Sequence, residues 1–289
     1  MIKLVHILRE LVEAKAIEVP DTEMDKVDKL YDEIDRKFDE LSKEAPQDSR
    51  NPLIRSEFRN YFTITPIGQK MIGVSIGLYN DPGDYAGGRG IKARDMDLKI
   101  DLSKKYILIN LANFKAHNKQ QFENLIRHEL IHAIDPKTSQ KHLYSKEAAA
   151  ASKQQKKARF FKNQMEKYVQ MFQTPGEFAA EASTIIGTIK KNIEDIKDEP
   201  KKEAYKKLII QLPQDLKNKE VDVVKNDKKY KEEMAWLLAG GNDDDYTNTL
   251  YTIKSWAENE EDPELFKKFL KMIAAAVGDT NSKKVTRFS

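Results

Sequence analysis

Cysteine is absent from all 289 residues. That absence excludes disulfides, thiolate metal sites and cysteine nucleophiles together, so nitrogen and oxygen are the only ligands left for a metal. Long apolar runs are missing as well. The richest stretch, Leu265 to Val277, is interrupted by lysines, and nothing approaches the roughly 18 apolar residues that a membrane span requires. The first ten residues carry Arg9 and Glu10 where a cleaved signal would need an apolar stretch, so a cytoplasmic protein is expected. No sign of charge dominates: 50 Lys+Arg face 47 Asp+Glu, a formal +3. Lysine clusters at 153–157 and 201–207 therefore read as solvated helix faces rather than as a nucleic-acid patch.

What is present falls into three stretches. Residues 1–50 read as a helical arm: Ile2, Leu4, Val5, Leu8, Leu11 and Val12 recur at helical spacing. A second helix, capped at Asp21-Thr22, places Met24, Val27, Leu30, Tyr31, Ile34, Phe38 and Leu41 on one stripe. Such an arm could engage a protein partner. Residues 51–198 read as a second, central domain. In it, Tyr61–Thr65, Met71–Tyr79, Met96–Leu102 and Tyr106–Asn110 read as strands, the last two as a hairpin turning at Ser103-Lys104. The glycine-rich stretch from Asp81 through Gly87, Gly88 and Gly90 reads as a loop, and it lacks the Lys-Ser/Thr of a phosphate-binding loop. Everything after about 118 reads as helix, with breaks at Pro136, Pro175, Pro200, Pro213, Gly240-Gly241 and Pro263; residues 199–289 form a C-terminal helical region. The order of elements gives an α+β fold: a small mixed β-sheet with helical segments on either side in the chain.

Histidine is scarce, with five in the chain, yet two fall in His128-Glu129-Leu130-Ile131-His132. Asn118 and Gln121 form a capping box at the start of a helix whose buried side is supplied by Phe122, Leu125, Ile126, Leu130, Ala133 and Ile134. Four residues apart on that helix, His128 and His132 point the same way, as two ligands of one tetrahedral Zn2+ do. Glu129 sits about 100° round the helix, within reach of a water at the metal and placed as general base. Farther on, Pro175 can open another helix, with Glu177 and Glu181 four apart on one face among small and apolar residues.

These motifs resemble those of the gluzincin branch of the zincin metallopeptidases, with a thermolysin-like ligand arrangement. The resemblance spans roughly residues 95–190. It implies a zincin-like catalytic domain, with Glu177 as third zinc ligand and Glu181 as an acidic neighbour orienting a ligand histidine. Glu181 and Asp135 stand as substitutes for Glu177. The stretch Pro175-Gly176-Glu177-Phe178-Ala179-Ala180 is also similar to that of small phage and bacterial metallopeptidases, which adds a virion-associated location as an alternative. The family holds an extended substrate along an edge strand, here 97–102 or 106–110. It also uses a later histidine or tyrosine for the oxyanion. No histidine follows His142, which leaves Tyr144, Tyr168, Tyr205, Tyr230, Tyr246 and Tyr251, with Tyr168 preferred. The expected function is a zinc endopeptidase, rather than an exopeptidase, acting on protein or peptide. The alternative is a virion or assembly protein that keeps the zincin domain as a scaffold.

Overall fold

The computed structural model describes residues 19–49, 51–65, 71–83, 88–92, 105–134, 175–231, 233–260 and 262–278. The fold is mixed α+β, and the chain divides into two compact units, one of them Glu18–Lys146. The described elements of the other all follow it in sequence. The expected first helix over residues 2–12, the strand at 97–102, His142, Tyr144, Tyr168 and Asp135 lie outside the described residues.

The first unit pairs helices with a four-stranded sheet. Helix α1 (Asp21–Arg36) buries Met24, Val27, Leu30 and Ile34, a stripe repeating every three or four residues. Its start differs from the expected cap. Pro20 occupies the capping position without a side-chain hydrogen bond, while Asp21 and Glu23 place negative charge in the first turn. A turn at Lys37 separates α1 from α2 (Phe38–Glu44), where one continuous helix was expected. The sheet comprises β1 (Phe62–Ile64), β2 (Ile72–Tyr79), β3 (Gly88–Lys92) and β4 (Lys105–Asn110), in the order β1-β2-β4-β3. Strand β2 pairs antiparallel with β1 and parallel with β4, and β3 pairs antiparallel with β4.

Two expectations fail here. Part of the glycine-rich stretch is not loop but strand: Gly88 pairs with Ile109 and Gly90 with Ile107. Backbone pairing along β4 outweighs the poor strand propensity of glycine. Nor can 106–110 be an edge strand, since β4 is flanked by β2 and β3. Such a central position explains its unbroken apolar run, with Tyr106, Ile107, Leu108 and Ile109 all buried. Gly77 of β2 faces Leu108, where an added Cβ would come within 2.6 Å of a leucine methyl.

After β4 come the short α3 (Leu111–Phe114) and then α4 (Lys119–Ile134). Tyr31, Phe114 and Phe122 bring their rings together with centroids 4.9 to 5.5 Å apart, which fastens α4 to α1 and α3.

The described part of the second unit is helical: α5 (Pro175–Glu194), α6 (Glu199–Asn218), α7 (Val221–Lys225), α8 (Glu233–Ala239), α9 (Asp243–Ala257) and α10 (Pro263–Ala276). Trp256 is fully buried at its centre, with ring contacts to Phe178 at 4.8 Å and Phe269 at 4.9 Å. Pro175, Pro200 and Pro263 all fall in first turns, where a missing N–H costs nothing. Gly240 and Gly241, at φ 60° and 89°, end α8 as expected. Pro213 does not break its helix: α6 runs through it, with Ile209, Leu212 and Leu216 buried around it, so packing offsets the lost hydrogen bond. No helix among the described residues is long and apolar enough to cross a membrane.

Candidate metal centre

The start of the helix carrying the histidine motif is specified by local contacts. Asn118 Oδ1 accepts from the Gln121 N–H at 2.9 Å, and the Asn118 N–H donates to Gln121 Oε1 at 3.0 Å. This is the reciprocal box expected from the sequence, and it satisfies two of the donors that a helix start leaves open. Phe122, Ile126, Leu130 and Ala133 then bury one side of α4, while Leu125 is half-buried.

The polar side of the helix is unusually interior. Glu123 and Arg127 are both buried and paired, Nη2 to Oε1 at 3.0 Å. Glu129 is buried as well. His128 and His132 are half-buried, their rings 4.7 Å apart at 74°, with the two Nε2 atoms 3.1 Å from one another. At that separation one Nε2–H can donate to the other bare nitrogen, or two bare nitrogens can share a cation. Bonds of ~2.0–2.1 Å to a tetrahedral ion put two nitrogen ligands about 3.3 Å apart, close to the spacing found here.

Glu177 lies in the first turn of α5, where a carboxylate is favoured by the helix dipole. Phe178, Ala180, Ala182, Ile185, Ile186, Ile189 and Ile193 are the buried apolar residues of this helix. One ligand atom each from His128, His132 and Glu177 lies within 4.8 Å of the others, a group that could hold a metal ion. Two imidazoles and a carboxylate are a nitrogen–oxygen donor set of the kind that leaves a further coordination position open. Among the described residues this group takes Glu177 and not Glu181, which stands one turn farther along α5.

Four of the candidate tyrosines are described. Tyr205, Tyr230 and Tyr246 are buried in the helical core, and Tyr251 packs against it. Tyr230 is further committed, its hydroxyl donating to Asp215 Oδ2 at 2.6 Å. Two contacts escaped the sequence reading. The Glu123–Arg127 pair was signalled by its four-residue spacing, though its burial was not. Lys105 Nζ donates to the carbonyl of Ala133, and no local pattern announces that contact. Comparisons with protein-family models, with curated proteins and with solved structures find no match to this chain.

Proposed function

We propose that the chain is a zinc-dependent endopeptidase of zincin type, with His128, His132 and Glu177 as the ligands. The observation that carries this reading is the ligand group itself: two imidazole nitrogens 3.1 Å apart on one helix, with a carboxylate oxygen in the same group. What a zinc ion supplies when bound there is Lewis acidity towards a water and a carbonyl oxygen. The remaining work falls to the chain's own groups. Glu129 follows His128 directly, so its carboxylate leaves the helix on a neighbouring bearing and can take the proton of the attacking water. Its burial keeps bulk water from competing for that proton. The same carboxyl then has a proton to return to the departing amine.

An extended peptide needs an edge to lie along. Among the described residues β3 is an outer strand of the sheet, and it packs against α4, so its free backbone edge is the best-placed candidate. Tyr168 remains the proposed oxyanion donor, and Glu181 the acidic neighbour that steadies a ligand. A scaffold role makes the opposite prediction about Glu129, which gives a clean test. Wild type and Glu129→Gln are loaded with zinc and incubated with a complex peptide mixture, and the products are read by mass spectrometry. Cleavage should fall by ~10²–10⁴-fold in the variant while its zinc content stays unchanged. Equal cleavage by both proteins would remove Glu129 from the chemistry, and no cleavage by either would leave a metal-binding scaffold.

A further inference from the structure

The last turn of α4 carries His132. The described helix ends at Ile134, and the last carbonyls of a helix lie beyond its own ladder of N–H donors. Pro136 follows in the sequence and has no N–H to offer. Into this end comes a strand-borne cation. Lys105, the first residue of β4, donates from its ammonium to the Ala133 carbonyl, one residue beyond His132. A cation at a helix C-terminus is favoured by the dipole as well as by the hydrogen bond. The strand behind it is firmly held, paired on one side with β2 and on the other with β3, and buried from Tyr106 to Ile109.

We propose that Lys105 is a positioning residue for the metal, anchoring the last turn of α4 to β4 and so fixing the direction of the His132 imidazole. The inference rests on the reading of His128, His132 and Glu177 as ligands. His128 lies one turn earlier, well inside the helix, where intrahelical bonds already hold it. His132 lies at the end, where fraying would swing its ring away from the facing nitrogen. Lys105 therefore acts through the helix backbone to keep the two Nε2 atoms in register.

Two physical effects of removing Lys105 have opposite signs, and this separates positioning from charge. Taking away a cation near a divalent ion strengthens metal binding if charge dominates. Loosening the helix end weakens it if positioning dominates. The test is a zinc titration of the full chain against a chromophoric chelator for wild type, Lys105→Met and Lys105→Arg. A parallel thermal melt in excess chelator reports the fold of each metal-free protein. The expected result is a zinc affinity at least about tenfold weaker for Lys105→Met, as for other residues that orient metal ligands. Lys105→Arg, which keeps a charged donor, restores most of the loss. Unchanged or tighter binding by Lys105→Met overturns the inference and leaves the ligand reading intact, even where its metal-free melt is lowered. Failure of wild type to bind zinc overturns both. Should Lys105→Met not fold, Lys105→Gln is titrated in its place against the same criteria.

Discussion

The two units of this chain handle buried polar groups in different ways. Among the described residues, the buried carboxylates and guanidinium all belong to the sheet-containing unit: Glu23, Glu123, Arg127 and Glu129. Three of these four stand on α4, within seven residues of one another and beside both histidines of the motif. The described residues of the helical unit bury only uncharged polar residues, namely Ser183, Thr184, Thr188, Asn192, Thr249, Thr252 and Ser255. Most of these serve the backbone. Thr184 and Thr188 donate to carbonyls one turn back, and the Asn192 amide donates to the Trp236 and Leu237 carbonyls. Burying an ionised group costs several kcal/mol unless it is well paired, whereas a hydroxyl bonded to its own helix costs little. Helix α4 therefore carries a burial cost that the described helical core does not.

Glu123→Ala leaves Arg127 charged and buried without its carboxylate, and should destabilise the sheet-containing unit by about 3–5 kcal/mol in urea unfolding. A loss below about 1 kcal/mol would mean that the pair is not buried in the way described. The helical unit offers a milder counterpart. Burial opposes ionisation of Asp215, but hydrogen bonds from Tyr230 and Gln211 and the Lys229 charge outweigh it and hold its carboxyl below the usual range. Burial first, and then Asp215, push the Tyr230 hydroxyl well up, so it stays a neutral donor. Tyr230→Phe should cost roughly 1–2 kcal/mol at neutral pH. The sign with pH follows from the lowered carboxyl. The stabilisation is present above the unfolded value of about 3.9 and is lost as pH falls through the folded one. The gap between wild type and Tyr230→Phe should therefore narrow below about pH 4; a gap that stays constant down to pH 2 would show that the hydroxyl acts through packing alone.

Much of this architecture was written in local pattern. The Asn118–Gln121 box, the α1 stripe, and the strands β1, β2 and β4 follow from spacing and side-chain type, because short-range physics decides them. What the sequence reading missed depends on partners distant in the chain. Gly88 to Lys92 form a strand because β4 is there to pair with, and β4 is interior because two neighbours flank it. Pro213 stays helical because the packed residues around it outweigh one lost hydrogen bond. At the candidate site, the spacing of His128 and His132 already implied that their imidazoles face the same way. The grouping of Glu177 with them, some 45 residues later by the numbering, rested on resemblance before the structure supplied the geometry. Lys105 could not be found at all, since a lysine opening a strand looks the same whether its ammonium meets water or a helix end.

Metal content reports whether His128, His132 and Glu177 hold one ion. The full chain is purified without chelator, supplied with zinc, desalted and assayed by inductively coupled plasma mass spectrometry beside His132→Ala prepared identically. The account predicts one zinc per chain in wild type and loss of that zinc in the variant. A wild type without zinc, or a variant that retains it fully, would contradict the account.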